Sequence, residues 1–229
     1  MRALNKRETQ SKILFKIIKH FPVHPWKPGS AFATLIHTIL SQNTNDQNSN
    51  RAMRQLRKRY KINPSILAES DITDLINVIR PAGLYRSKAT YIREVSRIIQ
   101  FEYEGKLSGL LDLPYRDAKN ILTSLPGVGP KTADILLAFV AGHFIVPVDT
   151  HIARIAKRLC IVSPNADYET IRLALESLTT PRQRLSLHLS MIRFGRTICK
   201  APKPLCDKCL ISKECPSSSL HFRSLKNSF

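Results

Sequence analysis

An all-α fold is predicted by three features of the sequence. Ten segments place apolar residues near the helical period of 3.6, and Pro, Gly, Asn or Ser separate them. The one strand-like patch is too short and isolated to found a sheet. The 229 residues are 43% hydrophobic and 23% charged, the balance of a globular chain with a sizeable core. Lys and Arg number 36 against 17 Asp and Glu, a net charge of +19. That excess points first to a polyanion, usually nucleic acid, with an anionic membrane surface as the competing partner class. No stretch of about 18 apolar residues occurs, so nothing in the sequence reads as a membrane span.

The first segment, 8–20, alternates Ile13, Leu14, Ile17, Ile18 and Phe21 with Lys12, Lys16 and Lys19. This is an amphipathic helix expected to pack on the body of the protein, with membrane docking the lesser alternative. It lacks the pattern of a secretory signal. The expected location is therefore a reducing one, cytoplasmic and nucleoid-associated in a prokaryote, with cysteines free or metal-bound. Segments 31–40, 46–59, 72–79, 88–100 and 115–124 follow with the same period. Segment 131–141 opens after the turn Pro126-Gly127-Val128-Gly129-Pro130, and Ala133, Ile135, Leu136 and Leu137 form its apolar face. The strand-like patch is Phe144–Val148. Segment 151–160 turns Ile152, Ile155, Ala156 and Leu159 inward, with Cys160 read as core at its end. Segments 167–177 and 182–195 complete the helices, and PSSSLHFRSLKNSF reads as a loose tail.

Lys131 stands in the first turn of its helix, where partial positive charge makes a cation unfavourable. Either the long side chain simply reaches water, or the position lowers its pKa and keeps a neutral amine ready to attack. Asp149, in VPVDTHIARIAKRL, is by itself an N-cap candidate. Near the C-terminus Cys199, Cys206, Cys209 and Cys215 are spaced C-x6-C-x2-C-x5-C. Zinc ribbons usually pair two short knuckles, and this pattern has one. The spacing favours a [4Fe–4S] cluster, with zinc and disulfides left open.

The motifs ILSQNTND, GLYRSKA, LPGVGPKTA and VPVDTHIARI, together with the cysteine quartet, resemble the endonuclease III branch of the helix-hairpin-helix DNA glycosylases. The likeness runs from about residue 31 to 216. It implies a two-lobed fold with DNA bound across the cleft. One lobe is a six-helix barrel, 24–143, with the hairpin at about 119–138. The other is a discontinuous iron–sulfur domain, 1–23 and 144–229, with its cluster loop at 199–215.

By the same resemblance Cys199, Cys206, Cys209 and Cys215 hold a [4Fe–4S] cluster, and the hairpin holds a monovalent cation. The implied activity is that of a bifunctional DNA glycosylase and abasic-site lyase removing oxidised pyrimidines such as thymine glycol. Lys131 forms a Schiff base with the sugar, and Asp149 stabilises developing positive charge. Monofunctional relatives carry a different residue at the lysine position. The implied DNA contacts are Gln42, Asn43, Leu84, Gly127, Gly129, Thr132, Lys200 and Lys203, with Leu84 as an apolar wedge. The family's glutamine falls at the register of Asn43, so Gln42 and Asn43 are alternatives for the second gap-filling side chain. The expected partner is double-stranded DNA with a damaged or missing base, bound by a monomer. A G·T or G·U mismatch glycosylase of the same fold is the nearest alternative, and a non-catalytic DNA-binding module the more distant one.

Overall fold

The computed structural model describes residues 5–23 and 28–218. Among these are twelve α-helices and no strand, so the all-α class holds. The chain divides into two compact units, Lys27–His143 and Met1–Trp26 with Phe144–Phe229. Most of the C-terminal tail, 219–229, lies outside the described residues.

The discontinuous unit holds α1, Lys6–His20, capped at its start by Asn5 and Glu8 in a reciprocal box. Its companion unit, Lys27–His143, then holds α2 (Ala31–Ser41), α3 (Asp46–Arg59), α4 (Pro64–Ala68) and α5 (Ile72–Val78). A 3-10 turn (Arg80–Ala82) precedes α6 (Tyr85–Glu102), α7 (Ser108–Leu111), α8 (Tyr115–Ser124) and α9 (Pro130–Phe139). Helix α2 is apolar on nearly every side and buries Leu35, Ile36, Ile39 and Leu40 completely. Ile92, Val95 and Ile99 of α6 and Leu136 and Leu137 of α9 are equally buried. Each such side chain contributes about 1.5–3 kcal/mol relative to exposure. Side chains of Ser30, Asn45, Asn63 and Asp71 accept the orphan N–H groups that start α2, α3, α4 and α5.

The remaining helices, α10 (Thr150–Arg158), α11 (Tyr168–Ser177) and α12 (Arg184–Thr197), belong with α1. The apolar face of α1 is spent inside this core: Ile13, Leu14 and Ile17 are buried with Ile152, Ile155, Leu175, Met191 and Phe194. No helix among the described residues is long and apolar enough to cross a membrane. Residues 144–148 form no strand, and side chains satisfy several of their backbone groups. The Glu176 carboxylate accepts from Val146 N–H at 3.0 Å, Tyr168 Oη from Val148 N–H at 3.3 Å, and His188 Nδ1 lies 2.7 Å from Pro147 O. Glu176 is itself held by Arg172 Nη1 at 2.9 Å. This frame delivers Asp149 to the start of α10. Cys160 differs from its sequence reading: it is exposed, one residue past the C-cap of α10, with φ 50°.

Candidate functional site

The hairpin is α8, a turn, and α9. Gly127 has φ 73°, and a Cβ there would lie 2.7 Å from the Tyr91 ring of α6, so conformation and space both require glycine. Val128 N–H closes the turn on Leu125 O at 3.1 Å. Gly129 is the N-cap of α9, with open space where a side chain would stand, and no side chain caps the helix. The first N–H groups of α9 thus point at an uncovered, electropositive surface suited to a phosphate. Lys131 is exposed at the second position of that helix. Asp134, hidden in the apolar spacing of α9, was not singled out by the sequence. It is fully buried, accepting from Tyr115 Oη at 3.0 Å and from Lys119 Nζ at 3.2 Å, which ties α9 to α8.

Gln42 and Asn43 part company in the loop after α2. Gln42 Nε2 donates to Gly127 O at 2.8 Å and to Thr132 Oγ1 at 3.2 Å, so its side chain is committed to the hairpin. Asn43 is exposed and left-handed, with φ 50°. Thr132 is buried, with its hydroxyl against Gln42, which leaves its backbone N–H as the group facing the helix end. Leu84 is the other exposed group. It is 59% exposed, with φ 46° and ψ 32° at the start of α6, so it is not a core leucine. Left-handed backbone is costly for a non-glycine residue, and holding an apolar side chain in water adds to that cost.

In the other unit Asp149 is the N-cap of α10, its Oδ1 accepting from Ile152 N–H at 2.8 Å. The capping assignment is therefore correct as far as it goes. His151 is pulled below the ordinary histidine pKa by burial, partly offset by the Asp149 carboxylate. Glycine at 195 lets α12 approach this residue: a Cβ there would lie 2.9 Å from His151 Cβ.

Cys199, Cys206, Cys209 and Cys215 line one cavity together with Phe194, Ile198 and Ile211. All four are free of disulfides. Burial, and then the neighbouring cysteines, push the Cys215 thiol up to about 11, and Cys209 is raised for the same reasons. Four thiolates in such a place need positive charge beside them to be stable, which a bound metal cluster would supply. Among the described residues no group of three or more His, Cys, Asp or Glu is drawn together closely enough to hold a metal ion.

Two arginines that the sequence reading left as part of a helix build the loop between the first two cysteines. Arg154 Nη2 donates to Gly195 O at 3.0 Å and Cys199 O at 2.8 Å. Arg158 donates to Lys200 O at 2.7 Å, Ala201 O at 2.8 Å and Cys199 Sγ at 3.3 Å. Lys200 and Lys203 stand exposed on the backbone so fixed. The signal for this was the i, i+4 arginine pair on α10, which places both guanidinium groups on one side of the helix.

Comparison with known proteins shows which family the chain resembles. The family of HhH-GPD superfamily base excision DNA repair proteins matches residues 36–181. An endonuclease III of Thermotoga maritima is 38% identical over 87% of this chain and 89% of its own. One of Sulfolobus acidocaldarius is 35% identical over 82% and 83%. A solved endonuclease III, trapped as a covalent intermediate with DNA, superposes with a TM-score of 0.84. It is 27% identical, over 96% of this chain and all of that one.

Proposed function

The chain belongs to the endonuclease III family of HhH-GPD base excision DNA repair proteins, and on that premise we propose how its residues perform the family's chemistry and on which lesion. As a member it is a DNA glycosylase with abasic-site lyase activity, and it binds DNA. We assign the nucleophile to Lys131 and the preferred lesion to oxidised pyrimidines such as thymine glycol, in double-stranded DNA bound by a monomer.

The observation that carries the assignment is the exposed Lys131 at the uncapped start of α9. A phosphate on the hairpin N–H groups holds the strand in register without reading sequence. The target base must leave the stack to be reached. Leu84 and Asn43, both exposed and left-handed, fill the space it vacates, and Gln42 stays with the hairpin. Nζ of Lys131 then attacks C1′ as the bond from C1′ to the base breaks, and the proton that Nζ sheds passes to the departing base. Opening of the sugar ring gives an imine on Nζ. Loss of a C2′ proton expels the 3′ phosphate and cuts the strand 3′ to the lesion. Asp149 stabilises the positive charge that develops on the sugar. The solved relative trapped covalently on DNA supports a covalent route.

We assign a [4Fe–4S] cluster to Cys199, Cys206, Cys209 and Cys215. The cavity they share and their C-x6-C-x2-C-x5-C spacing support this assignment. Such a group supplies positive charge and a rigid four-point anchor for the 199–215 loop. The loop presents Lys200 and Lys203 to phosphates. Replacing either lysine by alanine is expected to weaken binding evenly across DNA sequences and to lower the salt slope by about 1. Binding titrations at several salt concentrations measure this, and an unchanged slope removes the contact.

Borohydride trapping on three duplexes tests the function. They carry thymine glycol, a G·T mismatch or an abasic site. Adducts on the thymine glycol and abasic duplexes are expected. An adduct on the abasic duplex alone leaves the lyase and overturns the lesion assignment. An adduct on the mismatch in place of thymine glycol selects a mismatch enzyme.

A further inference from the structure

Lys88 is only 2% exposed, and no carboxylate pairs with it among the described residues. Its three ammonium hydrogens go to three backbone carbonyls: Leu40 O at 2.9 Å, Gln42 O at 2.6 Å and Ala82 O at 2.8 Å. These oxygens are not interchangeable. Leu40 lies in the last turn of α2 and Gln42 is its C-cap, while Ala82 ends the 3-10 turn before Gly83 and Leu84. Helix ends leave carbonyls without partners and carry partial negative charge, which a cation satisfies. The backbone of Lys88 adds a fourth tie, since its N–H donates to Leu84 O at 3.0 Å. One residue thus holds the chain immediately before Asn43 and the chain on both sides of Gly83.

A buried cation is costly, and an unbranched apolar side chain fills similar volume without that desolvation penalty. Burial indeed pulls Lys88 below the ordinary lysine pKa. What an apolar side chain cannot do is bind three particular carbonyls. The linkage continues through Gln42, whose backbone is held by Lys88 and whose side chain holds Gly127 and Thr132 of the hairpin. Two side chains therefore join the Asn43 loop, the Leu84 loop and the hairpin turn.

We propose that Lys88 is a positioning residue for base flipping: its ammonium fixes the loops bearing Asn43 and Leu84 at one spacing, so that both side chains enter the duplex together. This rests on the reading above that Leu84 and Asn43 occupy the vacated space. Buried and bonded to three carbonyls, the residue acts through the loops it holds rather than on substrate. Its loss should tell on substrates whose base must be extruded, and much less on abasic DNA, where no base has to leave the stack.

The test compares Lys88→Met and Lys88→Gln, with and without Leu84→Ala, in single-turnover assays on a thymine glycol duplex and an abasic duplex. Thermal melts are run on every variant. Misplaced wedge loops are expected to slow base excision by about 10- to 100-fold. Abasic-site cleavage should stay within about threefold, and Leu84→Ala should add little to the slowing in the double variants. Parallel loss on both substrates in step with a lowered melting temperature reduces Lys88 to a structural residue and overturns the proposal, as do additive effects. Should Lys88→Met fail to fold, Lys88→Gln, which keeps two donors without the charge, carries the same comparison. If Leu84→Ala alone leaves base excision unchanged, the wedge reading falls and the role of Lys88 with it. If Leu84→Ala is slow but both Lys88 variants excise at the wild-type rate, only the Lys88 proposal falls.

Discussion

Lys131→Gln is expected to yield no borohydride-trapped adduct on abasic DNA, with strand cleavage lowered by at least ~10³-fold. The side chain it replaces is exposed at the second position of α9, so the substitution removes no packing. Glutamine is a good helix former, and the loss of a cation from the first turn is slightly favourable to the helix. Folding and duplex binding should therefore be intact, which makes the loss a chemical one. A glutamine amide is not a nucleophile toward C1′, and it cannot form an imine. Gel assays of trapping and of nicking, beside a melting curve, measure all three quantities. Nicking at the wild-type rate would remove Lys131 from the reaction.

Asp149→Asn separates two roles that coincide at one atom group. Oδ1 of Asp149 caps α10 through Ile152 N–H, and asparagine caps as well as aspartate. The helix and its melting temperature should be preserved while the negative charge is lost. If the charge stabilises the developing cation on the sugar, base excision falls about 100- to 1,000-fold. Asp149→Ala provides the contrast, losing about 1 kcal/mol of cap as well as the charge. Equal activity losses in both variants with a lowered melting temperature only in the alanine one is the expected pattern. Full activity in Asp149→Asn would leave Asp149 as a cap and nothing more.

Long helices were legible because their apolar spacing is strong: 46–59 and 115–124 coincide with α3 and α8. The short α4 and α7 were missed, since helices of five and four residues are too brief to display a period. Helix α6 starts at Tyr85, ahead of the predicted residue 88, because the break is made by a left-handed leucine rather than a visible glycine cap. At the candidate site, residue identity was legible and commitment was not. The sequence cannot separate Gln42 from Asn43; hydrogen bonds to Gly127 and Thr132 do. Lys88 lies within a helix rich in charged residues, where a lysine is ordinarily solvated, and only the meeting of three helix-end carbonyls reveals its burial. Arg154 and Arg158 were hidden for a related reason, as their partners lie some forty residues away in the chain, at Gly195 to Ala201.

Peptide mapping of the trapped wild-type adduct identifies the amine that attacks the sugar, assigned above to Lys131 Nζ. The borohydride-reduced complex on thymine glycol DNA is digested with nuclease and then trypsin, and the modified peptide is sequenced by mass spectrometry. A deoxyribose remnant on residue 131, with the tryptic cut there blocked, is the predicted result. A remnant on any other lysine or on the N-terminal amine, with residue 131 cleaved normally, would contradict it.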